Sequence, residues 1–449
     1  MIHHASIHIY AYQPPIRVGV ETGKHHNSAM VRPRIRDLGY GPGYYTPGAQ
    51  NSILDVPGVQ VGQKTIHNDE EGIHVGVTLI YPRGAEGTRL QPSYAAIHTL
   101  NGGGEMTGTH FIQDWGFTSS PVAFTDSMSC GAVYQALTNY SFETSRKLNE
   151  NVEAMYSHHG WPVVGETWGG GNTDIHAFKS TMSYDQIIEA IKDAGQSPQV
   201  REGGHGGGAG MLCMGHKGGT GTSSRLVPRA GEDNEDLVVG VLVQTNYGQK
   251  SMLHIGGVPI GKLLIRDEVQ NAQGEITDIP DRTDRTGSEG SILVCVVTNA
   301  PLLPHQLKRI AARASLGVSA VGGLGTGYNS SGDIIIALSS SEQCAPQVLM
   351  KHQWQRPDPH TVSTAGGRPS APAGQVSGAG FRRSVETQTI ETVVHSSIDA
   401  LFVATAEATE EAILNSLCQG EDIKAFDGTL HKALDVEKVR ELLHKHRVQ

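Results

Sequence analysis

The run ILVCVV (292–297) is short, continuous and apolar, and rich in β-branched residues. A strand of that composition has no face to give to water, so it belongs in a sheet covered on both sides. HVGVTLIYP (74–82) and LVVGVLVQT (237–245) also read as sheet strands, set between glycine-rich turns. Helical spacing interleaves with them. Residues 183–195 have Ser183 as an N-cap, Ile187, Ile188 and Ile191 on one stripe, and Gly195 as a stop. Residues 304–317 carry Leu307, Ile310, Ala311 and Ala314 on one face, with Lys308, Arg309 and Arg313 turned away. Residues 406–417 and 435–446 are the other strong helix expectations. Strands and helices in mixed order predict an α/β fold, and pattern alone goes no further.

The approach to ILVCVV is its opposite. TDIPDRTDRTGSEG (277–290) is charged and rich in turn formers, so it reads as an exposed loop. Gly290-Ser291 is the junction, and the layout suits a chain that cuts itself there. Cleavage would leave Ser291 as an N-terminal residue. A serine hydroxyl is a weak nucleophile, but a freed α-amine has a pKa of about 8, so a useful fraction is neutral and can take the hydroxyl proton. No histidine is then required. Gly290, with no Cβ, permits the strained backbone in which the hydroxyl reaches the preceding carbonyl. Ser223 and Ser224 in KGGTGTSSR (217–225) also follow a flexible turn, but no buried strand is expected after them, and they are set aside as nucleophiles.

The blocks GSILVCVVTNAPLLPHQLKRIAARASLG (290–317), KGGTGTSSR, VGVLVQTNYG (239–248), NGGGEMTGTH (101–110), NSSGDI (329–334) and EATEEAILNSL (407–417) together resemble the DmpA family of self-processing aminopeptidases, the L-aminopeptidase/D-esterase family. Their number and order carry the likeness, which covers residues 32–446 with interruptions. The resemblance implies a four-layer αββα sandwich of the N-terminal-nucleophile type, cut before Ser291 and assembled as a homo-oligomer of cleaved αβ protomers. It further implies that Asn246, in QTNYG, points its amide at the developing oxyanion. By the same likeness Ser331 and Asp333, in NSSGDI, stand beside the nucleophile, where the hydroxyl can bond the α-amine and the carboxylate can orient it. Relatives carry the longer glutamate at the acidic place. Where the family has a tyrosine after Glu-Thr, this chain has Trp168, in GETWGGGNTDIHAF (165–178). Indole has no hydroxyl and cannot relay a proton as a phenol does, so Trp168 is expected to wall the substrate pocket.

Composition narrows the partners. The net charge is −10, and Lys and Arg form no long block, so neither a nucleic-acid nor an anionic-membrane surface is expected. Cys130, Cys213, Cys295, Cys344 and Cys418 contain no CxxC pair, which argues against a disulfide framework or zinc ribbon and for a reducing, cytoplasmic setting. The chain has 22 histidines but no HExxH, and EGGHGGGAG (202–210) lacks the GK[ST] of a phosphate loop, so neither metal nor nucleotide cofactor is expected. Residues 1–30, with His3, His4, His8, His25 and His26, read as a solvated extension. A single peptidase domain is expected over 31–449, in two parts, 31–290 and 291–449. Residues 357–380, rich in Pro, Gly, Ala and Ser, read as a disordered insertion.

The function expected is an aminopeptidase that removes N-terminal residues from short peptides, amides or esters through an acyl-enzyme on Ser291. Two alternatives stand beside it. One is a hydrolase of ω-amino-acid oligoamides on the same fold, and the other is an uncut pseudoenzyme that serves as a scaffold.

Overall fold

The structure, a computed structural model, describes residues 32–150, 160–169, 181–231, 235–273, 290–347 and 387–446. The extension 1–30, the polar approach up to residue 289 and the insertion 357–380 lie outside them.

Alternation along the apolar run sets the layers. Ser291–Thr298 is a strand whose Ile292, Val294 and Val296 face one hydrophobic cluster, while Leu293, Cys295 and Val297 face another. Each such side chain contributes about 1.5–3 kcal/mol when fully buried, so a strand with six of them is stable only between two covering layers.

In chain order the strands up to residue 339 are β1 (Gln60–Asn68), β2 (Ile73–Tyr81), β3 (Ser93–Gly102), β4 (Phe117–Thr118), β5 (Val122–Asp126), β6 (Val163–Thr167), β7 (Leu212–Cys213), β8 (His216–Lys217), β9 (Thr220–Val227), β10 (Leu237–Asn246), β11 (Ser291–Thr298) and β12 (Gly332–Ser339). One sheet runs β1-β2-β5-β6; a second runs β4-β3-β12-β11-β10-β9. The cluster between the sheets joins Ile80, Val122, Phe124 and Val163 of the first to Leu242, Leu293, Ile334 and Ile336 of the second.

Helices cover the outer faces. On the smaller sheet, α1 (Cys130–Lys147) and α2 (Tyr184–Asp193) bury Val133, Leu137, Ile187 and Ile191 against Val75, Val77 and Leu79. On the larger, α3 (Pro304–Gly322) and α4 (Asp399–Cys418) bury Leu307, Ile310, Ala408 and Leu414 against Val241, Val294 and Ile335. The result is the αββα sandwich. Among the described residues no helix is long and apolar enough to cross a membrane.

Two helices run further than their sequence patterns indicate. Ser183 caps α2 as expected, accepting from the backbone N–H of Gln186. In α3, however, Gly317 does not stop the helix. A Cβ there would lie 2.4 Å from the Ala406 carbonyl oxygen of α4, so this glycine lets two helices approach closely while Val318 and Val321 continue the buried face. Helix α4 starts at Asp399, before the expected 406, and it is buried on nearly all sides. A helix covered all round shows little amphipathic period by which its start could be read.

Candidate active site

Three strand ends meet at one edge of the larger sheet. Antiparallel pairing sets Asn246, the last residue of β10, opposite Ser291, the first of β11; parallel pairing sets Ser291 opposite Gly332, the first of β12. Side chains alternate along a strand, so Ser291 shares the inter-sheet face with Leu293. Asn246 shares that face with Leu242 and Gln244. Ser291 is only 7% exposed, and its hydroxyl accepts a hydrogen bond from the Gly332 backbone N–H at 3.1 Å.

Gly290 also meets a constraint that the sequence does not show. A Cβ on it would lie 2.8 Å from Tyr247 Cα and 3.0 Å from the Asn246 carbonyl oxygen. Gly290 therefore permits close approach of the end of β10 to the residue before Ser291.

The Asn246 side chain is fixed at both ends. Its Oδ1 accepts from the Leu212 N–H at 3.0 Å, and its Nδ2 donates to the Trp168 carbonyl at 2.8 Å. A backbone donor on one side and a backbone acceptor on the other leave only one orientation of the amide. Nδ2 carries two hydrogens, and the bond to Trp168 uses one of them, so the amide keeps a second N–H with which to donate.

Ser331 and Asp333 are both fully buried, and the Ser331 hydroxyl donates to Asp333 Oδ1 at 2.8 Å. Asp333 stands in register with Ile292, one residue past Ser291. Burial raises its carboxyl from 3.8 to about 7, against the opposing hydrogen bonds of Ser331 and the Ile292 backbone. Its Oδ2 has no hydrogen-bond partner among the described residues. A buried carboxyl oxygen left this way is a ready acceptor for a cation formed nearby.

Trp168 contributes through two different groups. Its indole is 44% exposed, while its carbonyl holds Asn246. The turn that carries it is anchored by Asp126, whose Oδ2 accepts from the Gly169 N–H at 2.9 Å. Burial raises the Asp126 carboxyl to about 6, opposed by backbone hydrogen bonds from Met128 and Gly169. The remainder of the 165–178 segment, from residue 170, lies outside the described residues.

One residue of the site went unread in the sequence. Glu166, on β6, accepts from the Glu105 N–H at 2.8 Å and from the Ser127 hydroxyl. A Cβ at Gly104 would lie 3.3 Å from Glu166 Oε1 and 3.1 Å from Gly332 Cα, which brings this carboxylate close to the residue whose N–H meets the Ser291 hydroxyl. Gly103 N–H in turn donates to the Ser331 carbonyl at 2.8 Å. The glycines of NGGGEM thus let a loop from β3 press against the 331–333 turn. Glu-Thr before Trp168 marked the place, but only the second sheet reveals what Glu166 faces.

Ser223 and Ser224 require a correction. They lie on β9, itself a buried strand, so the lack of such a strand was the wrong reason to set them aside. Their hydroxyls are committed elsewhere: Ser223 donates to the Ala408 carbonyl at 2.5 Å and Ser224 to Asp55 Oδ2 at 2.6 Å.

Residues 51–431 match the family model of peptidase family S58. A β-peptidyl aminopeptidase of Sphingosinicella microcystinivorans is 34% identical over 422 residues, covering 92% of this chain and 93% of that protein. One from Sphingosinicella xenopeptidilytica is 35% identical over 405 residues, covering 88% and 87%. Among solved structures, the L-aminopeptidase D-Ala-esterase/amidase of Ochrobactrum anthropi, a variant of the Ntn hydrolase fold, matches with a TM-score of 0.71. Its identity is 33%, and the match covers 92% of this chain and 99% of that one. A Burkholderia sp. β-aminopeptidase matches with a TM-score of 0.70 at 34% identity, covering 93% and 99%. The fold expected from resemblance, a sandwich of the N-terminal-nucleophile type, is borne out.

Proposed function

Because this chain belongs to peptidase family S58 and is an aminopeptidase, we propose that it cuts itself between Gly290 and Ser291 and uses the freed Ser291 as nucleophile. One observation carries the reading: strand register alone brings the Ser291 hydroxyl, the Asn246 amide and the Ser331–Asp333 pair to one sheet edge.

Maturation and turnover follow the same chemistry. In the uncut chain Ser291 Oγ attacks the Gly290 carbonyl; the C–N bond breaks, leaving an ester that water hydrolyses. The new α-amine, when neutral, takes the hydroxyl proton as Oγ attacks a substrate carbonyl. Asn246 Nδ2 donates its second hydrogen to the oxyanion, and the amine leaving group departs with a proton. Water then releases the acyl group. Asp333 Oδ2, unpartnered and buried, is the acceptor for the α-ammonium form between attacks.

The relatives named as β-peptidyl aminopeptidases support a substrate with an N-terminal β-amino-acid residue, and the Trp168 indole forms the rim against which it packs. Assembly of cleaved αβ protomers into a homo-oligomer, in a compartment that keeps the free cysteines reduced, belongs to the same proposal. Intact mass is the test: the purified protein is expected as two fragments, residues 1–290 and 291–449. A single full-length mass in protein that hydrolyses nothing would favour the uncut scaffold, and a second fragment starting at Ser223, Ser224 or Ser251 would overturn the site.

Asp333 gives a pH signature in the uncut form. Its folded value of about 7 exceeds 3.8, so the folded chain holds this proton more tightly than the unfolded chain does. The stability this confers is complete below about pH 3.8 and is lost as pH rises through about 7. In chains kept uncut by Ser291→Ala, adding Asp333→Asn should therefore raise the thermal midpoint more at pH 8 than at pH 5. A constant difference across that range, measured by calorimetry, would rule out the raised carboxyl.

A further inference from the structure

Lys217 is fully buried, and among the described residues no carboxylate forms an ion pair with it. Its ammonium instead donates to three backbone carbonyls: Gly208 at 2.9 Å, Met211 at 3.0 Å and Gly218 at 2.6 Å. A lysine taken wholly out of water and given only peptide oxygens is costly, so its place needs a reason. The second of those carbonyls supplies one. The Met211 C=O and the Leu212 N–H belong to the same peptide group, and that N–H donates to Asn246 Oδ1 at 3.0 Å.

We propose that Lys217 is a positioning residue for the oxyanion donor, acting through the Met211–Leu212 peptide group on the Asn246 amide. The relay is continuous. Nζ–H meets the Met211 oxygen, the Leu212 N–H meets Asn246 Oδ1, and Asn246 Nδ2 has a second hydrogen besides the one given to the Trp168 carbonyl. A cation at one end of a chain of amides draws electron density along it, and each donor further on is strengthened. It also fixes the plane of the 211–212 peptide, and with it the direction of the Asn246 side chain. The β7–β8 hairpin is pinned from its other side by Met214 N–H on the Tyr247 carbonyl at 2.7 Å, and the Met211 carbonyl also accepts from the Gly218 N–H at 3.3 Å, so Lys217 is the charged and shorter of two donors that hold the 211–212 peptide. This inference rests on the aminopeptidase reading of the same site.

Burial lowers the Lys217 amine from 10.5 to about 7. The titratable groups around it are Cys213 from β7, His67 and His74 from β1 and β2, and His205 before β7. Burial raises Cys213 to about 12 and lowers all three imidazoles, His67 to about 4. Above pH 6.5 Lys217 is therefore the group of this set that changes charge, and on doing so it keeps only two N–H donors for three carbonyls.

The test is a double-mutant cycle on the cleaved enzyme. Lys217→Met keeps an unbranched side chain and removes the charge and the donors. It should lower kcat by about tenfold or more and leave KM within about twofold, while on an Asn246→Ala background it should cost less than about twofold further. Equal losses in both backgrounds would mean that Lys217 acts only through the fold, and no loss in either would mean that it does not act at all. Both results overturn the proposal, and neither touches Ser291. If Asn246→Ala itself leaves turnover unchanged, the oxyanion assignment fails and the relay fails with it. If Lys217→Met does not fold, hydrogen exchange of the unsubstituted protein decides. Peptides spanning 206–213, corrected for intrinsic rate, should lose protection between pH 6 and pH 9, and constant protection overturns the relay.

Discussion

Ser291→Ala is expected to fold, to remain a single chain and to show no aminopeptidase activity. The substitution removes one oxygen at the head of β11 and, with it, the bond from the Gly332 N–H, a loss of about 1 kcal/mol. Against that stand the six apolar residues from Ile292 to Val297, buried on both faces of the strand. Folding therefore survives. Cleavage does not, because the atom that attacks the Gly290 carbonyl is gone, and without cleavage no α-amine exists to act as base. Ser291→Cys keeps a nucleophile of higher intrinsic reactivity at the same place, with a longer bond to carbon, and should retain partial self-cleavage. Intact mass reads cleavage, circular dichroism reads folding, and release of an aryl amine from an amino-acyl anilide reads activity. A folded Ser291→Ala protein that still splits and hydrolyses at the parental rate would remove Ser291 from the chemistry altogether.

Asn246→Ala should slow turnover by about 10²- to 10³-fold, the loss of a single preorganised oxyanion donor. The same change leaves the Leu212 N–H and the Trp168 carbonyl without their shared partner, so the thermal midpoint should fall as well. The two effects separate by measurement. Single-turnover rates on protein already cleaved, taken well below the unfolding transition, report the donor alone. Self-cleavage should slow in parallel, because it passes through a tetrahedral carbon at the same position. Unchanged turnover in a cleaved, folded Asn246→Ala enzyme would rule out the role.

Several features of this protein follow from its sequence alone. An unbroken apolar run can lie only in a doubly covered strand, and β11 has one cluster on each face. Helix α2 could be read from Ser183 and the Ile187, Ile191 stripe because capping and periodicity act over a few neighbouring residues. The switch from polar loop to buried strand marked Ser291, and likeness to a family assigned roles to Asn246, Ser331 and Asp333.

What no local pattern carried was decided by contacts between segments far apart in the chain. Gly290 read as a residue that permits strained backbone, but nothing local showed that it also lies against the backbone of Tyr247, more than forty positions earlier. The helical pattern was read only as far as Gly317, and the contact of that glycine with α4 shows why the helix runs on past it. Ser223 and Ser224 read as hydroxyls after a flexible turn with no buried strand behind them, and pairing with β10 made them part of one. Glu166 and Lys217 carried no signal, since a carboxylate on a strand and a lysine before two glycines are commonplace in sequence. Their significance lies in what surrounds them: the 101–106 loop for one, a ring of peptide carbonyls for the other. Sequence fixes hydrophobic period and backbone freedom, which are local quantities. Burial and hydrogen-bond partnership belong to pairs of distant residues, so they exist only once the two sheets have closed on each other.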